Sequence, residues 1–289
     1  MFPKTIFVII VILALVSLAC GITINVPVEQ MSTGPNQTET INVPVPDASP
    51  ANLELTFGAG ELKINPGAED ALVEGTATYN VEDLKPNVDV EGRLIRIKTG
   101  DFEINGLPSI RAKDVKNIWD IKLGDAAMKL AIKAGAYQGT FELGGLSLTW
   151  LEVSDGAADV RLNFSQPNRV EMEKLQYITG ASNVKLSGLA NANFTSMVFR
   201  SGAGDYTLDF SGTLQRDAEV KIESGVSQVT IIVPAGVSAV VTFRAGISNI
   251  DTSGDWEKSG NEYYLTGSGP TLNITVDMGA GNLNLRTAP

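Results

Sequence analysis

One twelve-residue segment in the first quarter of the chain returns almost unchanged near its end. It reads LELTFGAGELKI at residues 53–64 and ITVDMGAGNLNL at residues 274–285. Six further versions lie between these two copies, and the central glycines of all eight are Gly58, Gly124, Gly156, Gly180, Gly202, Gly225, Gly246 and Gly279. A chain that repeats one short unit stacks copies of one structural element, so the repeat restricts the fold to a repeat architecture.

Apolar and polar residues alternate on both sides of each central glycine. Apolar residues stand five before, three before and four after it, as Leu53, Leu55 and Leu62 do around Gly58. The residue two positions after the glycine is small in every version: Gly60, Ala126, Ala158, Ser182, Gly204, Ser227, Ser248 and Gly281. The pattern predicts two strands, each with one buried face, that meet at a tight corner where stacked backbones approach closely.

The spacing of the glycines suggests how these units are stacked. From Gly124 onward the central glycines are 32, 24, 22, 23, 21 and 33 residues apart, and further corners are predicted at Gly188, Gly212 and Gly236. We therefore predict an all-β fold: a single-stranded, right-handed β-solenoid with rungs of about 22 residues that pair in parallel. A stack of antiparallel hairpins is the competing architecture, because it also permits apolar positions that mirror each other about the corner.

Two segments need a separate interpretation. Residues 125–136 have the composition of a helix, but their alignment with the other repeats predicts a strand through Met128 and Leu130. Residues 88–98 alternate apolar and polar side chains around Gly92, which predicts a twisted hairpin. The solenoid repeats are placed at residues 119–289, and an N-terminal β region with this hairpin at residues 51–118.

The N-terminus has the pattern of a secretory signal. Lys4 precedes an apolar run over residues 6–18, and Cys20, the only cysteine, follows Ala19. Residues 17–20 resemble the bacterial lipobox, which implies a signal peptide at residues 1–20 and a lipid, such as palmitate, on Cys20. Ser17 departs from the aliphatic residue usual at that position, so an uncleaved anchor and ordinary secretion remain alternatives.

Residues 21–50 are rich in proline, which disfavours helix and favours an extended tether. Within them the sequence TINVPV occurs at residues 23–28 and again at residues 40–45. The second copy could instead form an edge strand. We expect a spacer that carries the folded region away from the membrane.

Composition excludes several classes of function. The formal net charge of −11 gives no basic field for nucleic acid. The chain has no histidine, which removes the Ser-His-Asp and Cys-His nucleophilic sites and histidine-containing metal sites. The outward carboxylates of Glu54, Asp120 and Glu152 stand opposite Lys63, Lys129 and Arg161 and are interpreted as charge compensation. The glycine-aspartate turns lack regular calcium spacing. We expect no enzyme activity, no cofactor and no bound metal.

The best candidate for a contact surface is the segment at residues 256–264. It contributes Trp256, Tyr263 and Tyr264 within the long final spacing, and aromatic side chains of this kind stack on sugars or grip a protein partner. The alternative is a hairpin that covers the apolar end of the last rung.

The repeats resemble known bacterial families. Residues 53–64 resemble the opening of the toast-rack domain of bacterial surface proteins. The sequence GLSL at residues 145–148 and the GAG-type repeats resemble the adhesin-like β-helix domain. Residues 229–237 and 245–250 are similar to the C-terminal domain of cell-wall-active-antibiotic-response proteins. The resemblance implies a right-handed β-helix outside the cytoplasmic membrane and brings no catalytic residues.

From these observations we expect a non-enzymatic cell-surface protein, anchored to the envelope membrane by its lipid, with an adhesin-like or structural role. Its partner would be an unknown protein or a polysaccharide. The alternative, motivated by the antibiotic-response similarity, is an envelope-stress regulator that contacts a membrane signalling protein.

Overall fold

A computed structural model describes residues 33–100, 115–244 and 249–288. Over these residues the chain is all-β, as predicted, apart from two short 3-10 helices at Glu82–Leu84 and Leu189–Ala192. The strands are β1 (Gln37–Pro44), β2 (Ala51–Pro66), β3 (Ala71–Tyr79), β4 (Pro86–Glu91), β5 (Leu94–Thr99), β6 (Asn117–Leu123), β7 (Met128–Glu142), β8 (Leu148–Asn163), β9 (Met172–Ser187), β10 (Phe194–Asp209), β11 (Ala218–Pro234), β12 (Ser238–Phe243), β13 (Asn249–Ser253), β14 (Glu257–Ser259), β15 (Glu262–Leu265) and β16 (Thr271–Ala288).

Seven long strands form the body of the fold, which we call the rack. They lie in the order β2-β7-β8-β9-β10-β11-β16 and contain between 15 and 18 residues each. Neighbouring strands pair in parallel along nearly their whole length, on both sides of the central glycine. The parallel pairing rules out a stack of antiparallel hairpins. It also confirms residues 128–136 as strand rather than helix.

Each rack strand changes direction near its central glycine. Phe57 and Leu62 of β2 are both buried in one hydrophobic core, as are Met278 and Leu283 of β16. Side chains five residues apart point to opposite faces of a straight strand. A bend must therefore separate each strand into a first arm before the glycine and a second arm after it. The apolar faces of the two arms share the core.

Close approach of backbones explains the glycines at this bend. A Cβ atom added at Gly180 would lie 2.4 Å from the carbonyl oxygen of Gly156, and one added at Gly202 would lie 2.7 Å from that of Gly180. The glycine ladder formed in this way consists of Gly58, Gly135, Gly156, Gly180, Gly202, Gly225 and Gly279. From its second member on, each added Cβ would lie 2.4 to 3.1 Å from the preceding glycine's carbonyl oxygen. In three of these strands positive φ occurs instead two residues later, at Gly60, Gly204 and Gly281.

The ladder corrects one predicted corner. Phe57 pairs with Ala134 and Ala59 with Ala136, so the glycine opposite Gly58 is Gly135 and not Gly124. Gly124 directly follows β6, and a Cβ added there would lie 2.1 Å from the carbonyl oxygen of Ala71. β6 shows the same alternation of apolar and polar residues as the first arm of a rack strand, because one of its faces is buried. It pairs with β2 and β3.

The predicted tether at residues 21–50 is wrong over its described C-terminal part. Residues 37–44 form β1, which pairs antiparallel with β3. Ile41 and Val43 of β1 are 2% and 1% exposed, so these two residues of the second TINVPV copy belong to the core. The hairpin predicted around Gly92 is confirmed as β4 and β5, and it adds to the first arm of β2.

At the C-terminal end the strands do not follow chain order. The last strand, β16, lies between β11 and the pair β12 and β13. β12 pairs with the first arm of β16 and β13 with its second arm, both at the same offset of 33 residues. Gly246, the predicted corner between them, lies outside the described residues. The hairpin of β14 and β15 continues the sheet beyond β12.

Candidate functional site

Among the described residues, the buried polar side chain with the most hydrogen-bond partners is Asp155, beside the bend in β8. Its carboxylate is 3.3 Å from the hydroxyl of Tyr137 and 2.7 Å from that of Tyr177, and it also accepts a hydrogen bond from Thr179. Ser182 Oγ lies 3.5 Å away and accepts a hydrogen bond from Ala158 N. Burial raises the pKa of both tyrosine hydroxyls, and the nearby carboxylate raises them further, so both stay protonated donors.

This cluster ties three rungs together and leaves Asp155 only 8% exposed. Donors from the β7 and β9 rungs converge on the carboxylate of β8, which is how a buried charge is kept satisfied. In the part of the chain that the structure describes, no group of three or more Cys, Asp or Glu side chains is placed to hold a metal ion. We assign the Asp155 cluster to stability.

The structure brings Trp256, Tyr263 and Tyr264 together on the hairpin of β14 and β15. Tyr263 is 6% exposed, and Trp256 is half-buried against the core with no hydrogen-bond partner for its buried Nε1. Tyr264 is also half-buried, and its hydroxyl donates to Glu262. Tyr263 and Trp256 thus pack against the core, and Tyr264 keeps a partly open surface.

The lipidation candidate Cys20 lies outside the described residues. Among the residues that are described, no helix is long and apolar enough to cross a membrane.

A second aromatic surface lies on the outward face of the first arms. The pairing of β2, β7, β8 and β9 places Asn52, Lys129, Trp150 and Lys174 side by side in consecutive strands. The Nζ atoms of Lys129 and Lys174 lie 5.7 Å and 5.2 Å from the centroid of the Trp150 ring. Within residues 33–100, 115–244 and 249–288, neither Nζ has a carboxylate oxygen within 4.0 Å. The indole is therefore flanked by two ammonium groups that form no ion pair with the described residues.

A depression of about 260 Å³ opens beside this indole. It is lined by Asn52, Leu53, Glu54, Lys129, Leu130, Ala131 and Trp150, and we call it the Trp150 pocket. Ala131 pairs with Glu54 on one side and Glu152 on the other, so a methyl group stands between two long side chains and forms the floor. The Oδ1 atom of Asn52 is buried without a hydrogen-bond partner, and Glu54 lies 4.0 Å from Arg96 Nε.

The arrangement offers an indole wall, an apolar floor and a rim with both donors and acceptors. These are the elements of a small-ligand site: apolar surface for contact and a few polar groups for orientation. The sequence pattern does not predict this site, because the repeat around Gly124 places Lys129 opposite Asp120 as charge compensation. The available signal was Trp150 itself, a tryptophan at an outward position that is polar in the other rack strands.

Comparisons with known proteins cover most of the chain. A family model described as the N-terminal domain of toast_rack, DUF2154, matches residues 32–176 and 167–232, more than half of the 289 residues. The structure is similar to that of a candidate cell adhesion protein from Clostridium sporogenes ATCC 15579, with 18% identity, coverage of 88% of this chain and 100% of that chain, and a TM-score of 0.48. A candidate adhesin from Parabacteroides merdae ATCC 43184 gives 11% identity, coverage of 87% and 96%, and a TM-score of 0.42. No curated protein matches the sequence.

Proposed function

This chain belongs to the family of the toast-rack N-terminal domain, and on that premise we propose that it is a non-enzymatic cell-surface protein with an adhesin-like role. It is anchored to the envelope membrane by a lipid on Cys20. It binds its partner through the outward face of the first arms. The winding of the rack as a right-handed β-solenoid is part of the same proposal.

The observation that carries the proposal is the partly exposed Trp150 on that face. An outward position in a strand faces water, where a large aromatic ring gains little from folding. Aromatic rings of this kind are enriched where a protein contacts a partner. The parallel rungs hold the ring and its neighbours on a rigid sheet, which lowers the entropy lost on binding.

The test is a surface and attachment assay on cells that produce the full chain. Protease or a membrane-impermeant label applied to intact cells should reach the protein, and cells lacking it should attach less well to the matrix that the producing cells colonise. Protection of the chain from both reagents would refute the surface location. Equal attachment with and without the protein would refute the adhesin-like role.

The second candidate, an envelope-stress regulator, is supported by the similarity of residues 229–237 to antibiotic-response proteins. Co-purification from detergent separates the two functions. A bound membrane sensor kinase favours the regulator, and a bound polysaccharide or matrix component favours the adhesin-like protein.

A further inference from the structure

We propose that the Trp150 pocket binds an acidic polysaccharide, with one hexuronate ring against the indole and the sugar carboxylates paired with Lys129 and Lys174. This inference rests on the proposed surface role and names the class of partner for that surface. It is drawn from the indole, the unpaired ammonium groups and the size of the pocket.

Size and shape favour a sugar residue. A volume of about 260 Å³ lies just below the range of about 300–1,000 Å³ that holds drug-sized ligands, so one sugar ring fits better than a large cofactor. The indole and Ala131 supply the flat apolar contact for the C–H face of a pyranose. Asn52 and Glu54 line the rim, where a sugar hydroxyl can both donate and accept.

Charge favours an acidic sugar over a neutral one. Lys129 and Lys174 flank the indole, and neither forms an ion pair among the described residues, so both ammonium groups are available to a ligand carboxylate. Lys129 is exposed and can turn from the ring toward a ligand, while Lys174 lies on the opposite side of the same ring. A chain of uronates presents successive carboxylates to both lysines.

A protein partner is the less favoured occupant. Among the described residues, the large apolar side chains that are well exposed are Val45, Val88, Val90 and Val226. None of them lines the pocket, so the surface lacks the wide apolar centre of a protein interface.

Titration calorimetry on the full chain in detergent, with oligogalacturonate as the probe, tests the proposal. We expect Trp150→Ala to weaken binding by about tenfold or more. Lys129→Gln and Lys174→Gln should each weaken it several-fold, and added salt should weaken the parent most. Lys185→Gln is the matched control: it removes the same charge from an exposed position on the second arm of β9. It should leave the affinity unchanged.

Four outcomes would overturn the inference. They are no binding of oligogalacturonate, equal binding of a neutral galactose oligomer, equal affinity of the Trp150→Ala variant, and equal weakening by Lys185→Gln and Lys129→Gln. A different result refutes the proposed function: a chain that is not exposed on the surface of intact cells. If the protein is exposed and Trp150→Ala abolishes binding of a protein partner instead, the sugar proposal fails and the surface role stands.

Discussion

Replacing Gly202 by alanine tests whether the glycine ladder is set by backbone contact. The added Cβ would lie 2.7 Å from the carbonyl oxygen of Gly180, whereas ordinary contact begins at 3.4 Å. The two rungs must therefore separate locally by the difference between these two distances. The pairing of Ser201 with Thr179 and of Ala203 with Ala181, on either side of the glycine, opposes this separation. Overpacking of this kind costs about 1–3 kcal/mol. The lower entropy of the unfolded alanine chain offsets about 0.4–1 kcal/mol of that cost.

Gly58→Ala is the matched control, because an added Cβ at Gly58 has no atom within 4 Å and the residue has no positive φ. We expect Gly202→Ala to lower the free energy of unfolding by about 1–2 kcal/mol and Gly58→Ala to leave it unchanged or raise it by up to about 1 kcal/mol. Urea unfolding followed by circular dichroism measures both. Equal midpoints for the two variants would refute the steric explanation of the ladder.

Three further predictions concern other parts of the chain. Because folding raises the pKa of Tyr137 and Tyr177, the stability they contribute is complete below the ordinary tyrosine pKa of about 10 and is lost as the pH rises above it; Tyr177→Phe should flatten the loss measured between pH 9 and 11, and an unchanged slope would contradict the assignment. Deleting residues 271–288 removes the partner of β11, β12 and β13, so the truncated chain should be protease-sensitive and lose cooperative unfolding; a truncated chain that melts like the parent would show that β16 is dispensable. Cys20→Ser should abolish incorporation of labelled palmitate, and persistent labelling would contradict lipidation at this residue.

The two arms of each rung could be predicted because their alternation is local. Leu53, Leu55 and Leu62 occupy the core positions that the pattern gives them, and all three are fully buried. The need for glycine was also visible in the sequence. The main reason for the glycine was not visible in the sequence, because an added Cβ would meet the carbonyl oxygen of a residue more than 20 positions away.

Register and strand order depended on information that the local pattern does not contain. β6 and the first arm of β7 carry similar alternation, and only the pairing of β2 with both shows that Gly135, rather than Gly124, continues the ladder. In the same way, the local pattern does not show whether β12 or β16 pairs with β11. The insertion of β16 between them follows from long-range pairing.

The candidate site was hidden for the same reason. Asn52, Lys129 and Trp150 are far apart in sequence and become neighbours only when the register is known. The late hairpin was predictable as a contact surface because its three aromatic residues lie close together in the sequence, within residues 256–264. Two of those residues, Trp256 and Tyr263, pack against the core.

The most direct test of the proposed function compares two aromatic surfaces on one protein. Binding of the full chain to the acidic polysaccharide isolated from the surface that the producing cells colonise should be measured for the parent, Trp150→Ala and Tyr264→Ala. We predict that Trp150→Ala loses binding by about tenfold or more and that Tyr264→Ala binds like the parent. Loss of binding in Tyr264→Ala with full binding in Trp150→Ala would move the contact to the late hairpin and contradict the assignment of the outward face.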